Sequence, residues 1–440
     1  MKVCLISLGC DKNLVDSEMM LGFLNRGNVS FTDQYDEADA VIVNTCCFIL
    51  DAKKESVSTI LDMAEKKKAG TIKALIITGC MAERYRDEIM KEIPEVDAVV
   101  GTSGYDRIEE VLKKAMHGKK VSEFEDLDRL PAVSEKRMLS TLGWYAYLKI
   151  AEGCDKHCTY CIIPSLRGNY RSYPEKVLLD QAEQLSKAGV KELILVAQET
   201  TVYGKDFDGK KHLPELLRKL CRIDGIEWIR ILYCYPEEIT EELIGTIRDE
   251  KKICHYLDIP IQHASDDILK RMGRRTNCSD LTEIITAIRK EIPDIALRTT
   301  LISGFPGETD KDHKKLLSFV RKMKFTRLGV FPYSAEEGTP AAKFPGQIPQ
   351  RVKKARMNEI MALQKKISAS RMHGMIGRKL EVLVEGYMPD DGVYAGRTYM
   401  DAPDVDGYIF FKGSREYHSG ELVNVLVTDA SEYDLKGETV

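Results

Sequence analysis

The sequence predicts an α/β protein with an N-terminal open parallel sheet, a central partial (β/α)6 barrel and a small C-terminal β-barrel. Short apolar runs alternate with helical stretches over residues 1–118, and again six times from residue 144 onward. Such alternation is typical of βαβ units with parallel strands. Residues 373–440 instead show short alternating strands and many glycines, which are typical of a small barrel. The 440 residues exceed what one core usually holds.

The first alternation predicts four strands separated by helices. The strands are Val3–Leu8, Ala40–Asn44, Ala74–Thr78 and Ala98–Val100, and helical spacing is clear in Ser17–Leu24 and Lys53–Lys68. The polar stretch 119–143, which contains Pro131, is interpreted as a linker. We therefore expect a first domain at 1–118.

The second alternation predicts six strands within a domain at 144–349. These strands are Tyr145–Ala151, Glu192–Ala197, Trp228–Leu232, His255–Ile261, Ala296–Ile302 and Leu328–Pro332. The helices between them are Pro174–Ala188, Leu213–Cys221, Asp266–Met272, Cys278–Glu291 and Asp310–Met323.

The C-terminal part is predicted to begin with a helix and to end in strands. Residues 350–372 predict a basic amphipathic linker helix, because seven Lys/Arg and one acidic residue lie between Arg351 and Arg371. Short strands follow at Leu380–Val384, Tyr408–Phe411 and Leu422–Val427.

Composition excludes several classes of protein. The net charge of −4 predicts no overall field for nucleic acid. The N-terminus lacks a signal-peptide cleavage region, and no apolar run reaches the ~20 residues that span a bilayer. We expect a cytoplasmic protein without membrane contact. Its twelve cysteines are then better interpreted as metal ligands, reactive thiols or core residues than as disulfides.

Three cysteines lie within eight residues, directly after the first strand of the second alternation. The segment A-E-G-C-D-K-H-C-T-Y-C contains Cys154, Cys158 and Cys161, here named the loop trio. Three thiolates this close can converge on one centre and leave one iron of a four-iron cluster open. An open iron can bind S-adenosylmethionine, and a reduced cluster there could release a carbon radical.

A structural zinc loop is the alternative interpretation of the loop trio. Zinc sites usually pair two C-x-x-C units or use a histidine as the fourth ligand. His157 lies between the cysteines, where it is poorly placed to complete a tetrahedron, and the sequence has no second C-x-x-C. The spacing therefore favours the iron–sulfur cluster.

Three further cysteines are far apart in sequence but share one topological position. Cys10, Cys46 and Cys80, here named the strand-end trio, each follow a predicted strand. Because the carboxyl ends of parallel strands lie along one edge of a sheet, these thiols can meet and hold a second cluster with an open iron. The alternative is that they are buried apolar residues, which suits Cys4, Cys221, Cys234, Cys254 and Cys278. Cys47 could substitute for its neighbour Cys46, although we favour Cys46.

These motifs resemble a known family. C-x-x-x-C-x-aromatic-C resembles the radical-SAM signature, and the resemblance implies that Tyr160 packs by the adenine. Both trios, in this order, resemble the methylthiotransferase family of radical-SAM enzymes over nearly the whole chain. S-L-G-C-D-K-N-L-V-D-S-E and N-T-C-C-F-I resemble its N-terminal domain, I-S-G-F-P-G-E-T (Ile302–Thr309) its barrel motif and the tail a TRAM domain. Cys47 departs from the small residue that the family pattern has there.

The resemblance implies two substrate classes, an adenosine next to the tRNA anticodon or an aspartate of ribosomal protein S-twelve. S-L-G-C-D-K-N and G-R-T-Y-M-D-A-P-D-V-D-G (Gly396–Gly407) resemble the ribosomal-protein branch. Residues 374–440 hold six Lys/Arg and thirteen Asp/Glu, a net charge of −7. A module that grips tRNA should be basic, whereas an acidic one suits a basic protein or is simply a soluble surface.

The resemblance also implies a mechanism with two [4Fe-4S] clusters and S-adenosylmethionine as cofactors. The loop trio would be catalytic, because its cluster would cleave S-adenosylmethionine reductively. The resulting radical would take hydrogen from the β-carbon of the aspartate. The strand-end trio would hold or supply the sulfur, a second S-adenosylmethionine would supply the methyl group, and the product would be β-methylthio-aspartate.

The ends of the barrel strands are predicted to hold the cofactor. Candidates are Gln198 and Glu199 after the second strand, Gln262 and His263 after the fourth, Arg274 and Arg275 for carboxylates, and Gly304 and Gly307 for close backbone approach. Plain roles in a solvated loop, a charged surface or a turn are the alternatives at these positions.

The expected partners follow from the same interpretation. They are ribosomal protein S-twelve, free or in the small subunit, and a reductant protein such as flavodoxin or ferredoxin. The basic helix could contact ribosomal RNA or be a solvated face, and we expect a monomer. The alternatives are a tRNA methylthiotransferase, a non-catalytic iron–sulfur ribosome assembly factor and a zinc-stabilised binding protein.

Overall fold

The N-terminal part of the computed structural model, which describes residues 1–26 and 29–440, is an open, all-parallel sheet with helices on both faces. The six strands lie in the order β2-β1-β3-β4-β5-β6. The strands are β1 (Lys2–Ser7), β2 (Ser30–Phe31), β3 (Ala40–Thr45), β4 (Ala74–Gly79), β5 (Ala98–Val100) and β6 (Val121–Glu123). The helices are α1 (Asp11–Leu24), α2 (Leu50–Lys68), α3 (Cys80–Tyr85), α4 (Asp87–Glu92) and α5 (Ile108–Met116), with 3-10 turns at Tyr35–Glu37 and Tyr105–Arg107.

This sheet confirms the predicted parallel fold and adds two edge strands. Strands β3 and β4 are buried along their whole length, as expected where helices cover both faces of a parallel sheet. Strand β2 has two residues and β6 has three, which is too short to show a period in the sequence. Strand β6 pairs with β5, so the sheet continues into the stretch interpreted as a linker at 119–143.

The central part is a partial barrel, as predicted. Its six parallel strands lie in the order β14-β13-β12-β11-β10-β7. They are β7 (Tyr145–Lys149), β10 (Glu192–Val196), β11 (Trp228–Ile231), β12 (Ile253–Asp258), β13 (Ala296–Ser303) and β14 (Arg327–Pro332), while β8 (Ala151–Glu152) and β9 (Arg171–Ser172) form a separate antiparallel pair. The helices are α6 (Ile163–Arg167), α7 (Glu175–Lys187), α8 (Lys205–Asp208), α9 (Leu213–Leu220), α10 (Glu241–Asp249), α11 (Asp266–Arg271), α12 (Cys278–Glu291) and α13 (Asp310–Met323), with 3-10 turns at Pro236–Glu238 and Pro340–Lys343.

The C-terminal part is a long helix followed by a closed barrel, which confirms the predicted class. Helix α14 (Gln350–His373) leads into the barrel. The barrel strands are β15 (Lys379–Met388), β16 (Val393–Arg397), β17 (Ile409–Lys412), β18 (Leu422–Ala430) and β19 (Leu435–Thr439), closed in the order β15-β16-β17-β19-β18. Strands β16 and β19 were not among the predicted strands.

Buried ion pairs join the C-terminal barrel to the central sheet. Glu192 of β10 is fully buried, accepts a hydrogen bond from Arg230 at 2.7 Å and forms an ion pair with Arg397 of the C-terminal barrel at 2.6 Å. Arg230 also donates to the backbone oxygen of Tyr399 at 2.6 Å. Breaking such a buried pair leaves an uncompensated charge, which typically costs about 3–5 kcal/mol, so the two parts are held together as one body. Within the described part of the chain, no helix is both long enough and apolar enough to cross a bilayer.

Candidate active site

The strand-end trio lies at one edge of the N-terminal sheet. Strands β1, β3 and β4 are neighbours, and Ser7 pairs in register with Asn44, which pairs with Thr78. The first cysteine of the trio lies three residues beyond Ser7, and the others lie two residues beyond Asn44 and Thr78. The parallel register therefore brings three residues that are far apart in sequence to the same level of the molecule.

Local contacts hold the loops of this trio close together. Gly9 has a φ of +91°, and a Cβ on it would lie 2.5 Å from Cβ and 2.9 Å from Sγ of Cys46. Glycine is needed there for its backbone conformation and for the close approach. The amide nitrogen of Asn13 donates to the backbone oxygens of Leu8 at 3.0 Å and Thr45 at 2.8 Å. These bonds tie the loop before Cys10 to the end of β3.

The electrostatics of the strand-end trio suit a cationic group. Burial raises the pKa of Cys46 to about 12, and the neighbouring thiols of Cys80 and Cys10 raise it as well. Burial also raises the pKa of Cys80, with Cys10 contributing in the same direction. The thiols must lose their protons to bind metal, and three thiolates, of which Cys46 and Cys80 are buried, need positive charge beside them. An all-sulfur donor set of this kind fits an iron–sulfur cluster.

Arg167 supplies one cation at this edge, although it belongs to the central domain. Its buried guanidinium donates to Asn13 Oδ1 at 2.6 Å and to Cys80 Sγ at 3.7 Å. It also pairs with Asp16 at 2.7 Å and with Glu152 at 3.4 Å. Sequence reasoning missed Arg167, which follows the last cysteine of the loop trio by six residues yet contacts the other trio.

The loop trio lies after β8 in a loop fixed by backbone contacts. Gly153 has a φ of +70°, and a Cβ on it would overlap the backbone oxygen of Asn169. Cys154 N donates to Gly168 O at 3.2 Å, and Cys161 N donates to Cys158 O at 3.0 Å. These constraints fix the backbone conformation of the short loop that carries the three thiols.

The thiols of the loop trio share the electrostatic character of the other trio. Burial raises the pKa of both Cys154 and Cys161 to about 12, and in each case Cys158 raises it too. His157 is exposed, with a φ of +51°. No group of three or more His, Cys, Asp or Glu side chains among residues 1–26 and 29–440 is arranged to hold a single metal ion. The donor set of three thiols fits an iron–sulfur cluster.

A short segment after β11, Tyr233–Tyr235, contacts the surroundings of both trios and is here named the linking segment. The hydroxyl of Tyr235 lies 3.1 Å from Cys158 Sγ in the loop trio. The hydroxyl of Tyr233 donates to Asp11 Oδ1 at 3.0 Å, one residue after Cys10. One three-residue segment therefore contacts the loop trio directly and the residue next to Cys10. The tyrosines carry no sequence signal of this role beyond their position at a strand end.

Glu199 lies beside a cavity of about 280 Å³ next to the loop trio. The cavity is lined in part by Asp155, Lys156, Tyr170, Glu199, Lys205 and Arg275. Glu199 Oε1 accepts from the backbone nitrogens of Thr201 at 3.2 Å and Tyr235 at 3.4 Å, and Oε2 lies 3.8 Å from Lys156. Burial raises the pKa of Glu199 to about 7. Gln198, the other candidate after β10, is half-buried.

The two candidates after the fourth barrel strand differ in environment. Strand β12 ends at Asp258, so Gln262 and His263 lie in the loop beyond it. Gln262 is half-buried with a φ of +68°. His263 is fully buried, accepts from Ser265 N at 2.9 Å through Nδ1, and has its pKa lowered to about 3 by burial. Its imidazole is packed as a neutral group in the interior.

The glycine-rich turn after β13 packs against Tyr160. Gly304 N donates to Glu308 Oε2 at 2.6 Å, and a Cβ on Gly304 would overlap the side chain of Lys353. The ring of Tyr160 packs edge-to-face on Phe305 with centroids 6.4 Å apart. The predicted neighbour Gly307 has a φ of +84°, which also demands glycine.

The neighbouring residues Arg274 and Arg275 differ in burial and in their contacts. Arg274 is buried, and its guanidinium lies 4.1 Å above the ring centroid of Tyr235. It donates to Pro260 O at 3.0 Å, while Nε and Nη1 have no hydrogen-bond partner within the described part of the chain. Arg275 is exposed and lines the cavity beside Glu199. Arg274 therefore offers unused donors close to the loop trio.

Comparison with known families identifies the class of protein. Residues 148–320 match the Radical SAM superfamily, residues 2–101 match the Uncharacterized protein family UPF0004 and residues 376–440 match the TRAM domain. The fold is similar to that of the radical S-adenosylmethionine methyltransferase TsrM from Kitasatospora setae, solved with cobalamin and a [4Fe-4S] cluster. The TM-score is 0.55 at 13% identity, over 77% of this chain and 76% of that one. The chain is a radical SAM enzyme.

Curated relatives narrow the class to one family. The chain is 62% identical over 437 residues to the ribosomal protein uS12 methylthiotransferase RimO of Lachnoclostridium phytofermentans, covering 99% of both chains. It is 52% identical to RimO of Acetivibrio thermocellus, over 100% of this chain and 98% of that one. It is 48% identical to RimO of Clostridioides difficile, over 100% and 99%. The chain belongs to the family of ribosomal protein uS12 methylthiotransferases RimO.

Proposed function

We propose that this chain inserts a sulfur atom and a methyl group at the β-carbon of an aspartate of ribosomal protein uS12, giving β-methylthio-aspartate. The observation that carries the proposal is the position of the two trios. The strand-end trio follows three neighbouring parallel strands, the loop trio follows β7 and β8, and the linking segment contacts the surroundings of both. Sulfur insertion needs C–H activation and sulfur delivery at one carbon, and contacts of both sites with one three-residue segment support a common reaction site.

The loop trio would hold the first four-iron cluster, and the residues around it would bind S-adenosylmethionine. When bound, the cluster supplies the electron that releases a carbon radical able to remove hydrogen from an unactivated C–H bond. Glu199, once ionised, would attract the amino group, and Arg274 has free donors for the carboxylate. Tyr160 would pack by the adenine, and Gln198, Gln262 and Gly304 would provide the remaining cofactor contacts.

The strand-end trio would hold the second four-iron cluster and take part in sulfur supply. The buried guanidinium of Arg167 would stabilise thiolate charge there, as it donates to Cys80 Sγ at 3.7 Å. Cys46 rather than Cys47 is the proposed ligand, because Gly9 is shaped around Cys46. Cys47 instead packs among apolar residues such as Val43 and Ile77.

The C-terminal barrel would contribute to substrate choice. Its net charge of −7 favours a basic protein partner over the phosphates of tRNA. We further propose a cytoplasmic monomer that takes its electrons from a protein such as flavodoxin or ferredoxin. Helix α14 would be the part that contacts ribosomal RNA, since its exposed residues include Arg351, Lys354, Lys365 and Lys366.

The proposal is tested by offering both substrate classes to the anaerobically reconstituted enzyme. Purified uS12 and bulk tRNA are each incubated with the enzyme, S-adenosylmethionine and a chemical reductant, and mass spectrometry then measures methylthio addition. We expect modification of one aspartate of uS12 and unmodified tRNA. Modification of tRNA with unchanged uS12 would overturn the proposal. Bound clusters without any 5′-deoxyadenosine would instead indicate a non-catalytic assembly factor.

A further inference from the structure

Lys12 is a buried cation in the first turn of α1, two residues after Cys10. Its side chain is 6% exposed. The ammonium lies 3.3 Å from the ring centroid of Tyr233 and 3.1 Å from Asp11 Oδ1. Tyr233 belongs to the linking segment, so Lys12 is close to Cys10 in sequence and contacts the linking segment in space.

The local partners of Lys12 use only part of its hydrogen-bonding capacity. A lysine ammonium carries three donors, and burying a charge is costly unless it is paired and hydrogen-bonded. Asp11 is its one anionic partner among residues 1–26 and 29–440. The same oxygen, Asp11 Oδ1, already accepts from Tyr233, and Asp11 Oδ2 has no partner within the described chain. The pair therefore holds Lys12 in position and leaves it donors for a further anion.

We infer that Lys12 binds the carboxylate of the target aspartate and so determines which substrate is accepted. This inference rests on the proposed function. The β-carbon of aspartate is bonded directly to its carboxyl carbon, so a cation that holds the carboxylate also fixes the carbon that reacts. The neutral adenine base of a tRNA substrate offers no carboxylate to this lysine.

Two cations contact the linking segment, and each would bind a different carboxylate, that of S-adenosylmethionine or that of the substrate. Arg274 stacks on Tyr235, the residue that contacts Cys158 of the loop trio, and thus lies where S-adenosylmethionine would bind. Lys12 stacks on Tyr233, on the side of the strand-end trio, where sulfur would be delivered. The reacting carbon must lie between the radical source and the sulfur. The substrate carboxylate therefore binds Lys12, which lies on the side of the strand-end trio.

The test measures whether Lys12 recognises the negative charge of the target side chain. Binding of uS12, and of a uS12 variant whose target aspartate is replaced by asparagine, is measured by fluorescence anisotropy. Wild type, Lys12→Met, Lys12→Arg and the exposed control Lys54→Met are compared, each with and without reconstituted clusters. A charged hydrogen bond in a buried site predicts that wild type and Lys54→Met bind the aspartate form about 10- to 100-fold more tightly. Lys12→Met should bind both forms equally, and Lys12→Arg should keep part of the preference.

The outcomes separate this inference from the proposed function. An unchanged preference for aspartate in Lys12→Met overturns the role of Lys12, while product formation on uS12 by wild type would still support the proposed function. Wild type that modifies tRNA and leaves uS12 unmodified overturns both. If Lys12→Met melts at a lower temperature than wild type, the comparison moves to Lys12→Gln. That variant keeps hydrogen bonding without the charge, so a retained preference overturns the inference and a lost preference supports it.

Discussion

The sequence and the fold bring the members of the two trios together by different routes. The loop trio occupies eight residues, and local backbone bonds such as Cys161 N to Cys158 O position its thiols. The strand-end trio is spread over about seventy residues, and the register of β1, β3 and β4 brings its members together. The first therefore depends on one loop, and the second depends on the whole N-terminal sheet.

Because of this difference, substitutions in the two trios should have different effects on chemistry and stability. A change within the loop trio should remove radical chemistry and leave the fold intact. The strand-end trio is also supported by Arg167 from the other domain, so damage to that contact should affect stability and cluster binding together.

The largest effect is expected for Cys158→Ala in the loop trio. Removing one of three thiolates leaves too few ligands for a cluster with a single open iron. Formation of 5′-deoxyadenosine from S-adenosylmethionine should fall to the background of cluster-free protein, as measured by chromatography after reduction. The matched control is Cys254→Ala, a buried cysteine of β12 outside both trios and outside the linking segment, which should retain cleavage. Cleavage at the wild-type rate in Cys158→Ala would remove the loop trio from the mechanism.

Replacement of Cys46 by alanine should separate the two chemistries. Methylthio product on uS12 should disappear, while 5′-deoxyadenosine formation should stay within about twofold, because the three thiolates proposed to hold the cluster of the loop trio are all retained. Cys47→Ala, one residue away, should retain both activities. The reverse result, with Cys47 essential and Cys46 dispensable, would assign the ligand to the neighbouring thiol.

Arg167→Met should destabilise the protein by about 3–5 kcal/mol, as expected when one partner of a buried ionic network is removed. Asp16 and Glu152 would then share Lys149 as their remaining buried cation. Urea unfolding of the cluster-free protein measures the free energy, and the exposed pair of Arg415 provides the control, since Arg415→Met should cost less than about 1 kcal/mol. Equal free energies of unfolding in both variants would contradict the stabilising role of the ion pairs that Arg167 forms with Asp16 and Glu152.

Glu199 should make the stability of the cluster-free protein depend on pH. Burial raises its pKa to about 7 in the folded state, above the ordinary glutamate pKa of 4.5. Between these values the folded protein binds more protons than the unfolded chain, so stability should fall as pH rises, by up to about 3 kcal/mol. Urea unfolding at several pH values should show this slope in wild type, and Glu199→Gln should flatten it. The same slope in both proteins would assign it to other groups.

The smallest effect is expected for Tyr235→Phe, which removes the hydroxyl 3.1 Å from Cys158 Sγ. Hydrogen bonds to ligand sulfur influence the reduction potential of a cluster, and one hydrogen bond is worth about 1 kcal/mol. The midpoint potential of the loop-trio cluster, followed by electron paramagnetic resonance, should fall by some tens of millivolts. Tyr233→Phe loses its hydroxyl beside Asp11 instead and should leave that potential unchanged. A shift in Tyr233→Phe alone would reverse the assignment.

Much of the fold could be predicted because apolar runs and turn residues mark each buried strand. The predicted strands of both parallel sheets agree with the structure to within a few residues. The position of the strand-end trio followed from topology alone. Elements such as β2 and β6 could not be predicted, because two or three residues show no period and edge pairing decides their structure.

The contacts that support the site were much harder to predict. Arg167 looks like an ordinary charged residue in the sequence, and only tertiary packing places it beside Cys80. Lys12 is close to Cys10 in sequence, but only packing places its ammonium against Tyr233. His263 was a cofactor candidate from its position after a strand, yet the turn beyond β12 buries it in the interior. A strand end fixes a residue's level in the sheet, but the following loop decides where its side chain points.

Iron and sulfide counting after anaerobic reconstitution tests the central claim most directly, since each trio is proposed to hold its own four-iron cluster. Wild type should bind about eight irons per chain. A variant with all three cysteines of either trio replaced by alanine should bind about four. A wild-type content of about four irons, unchanged when Cys10, Cys46 and Cys80 are all replaced, would contradict the account.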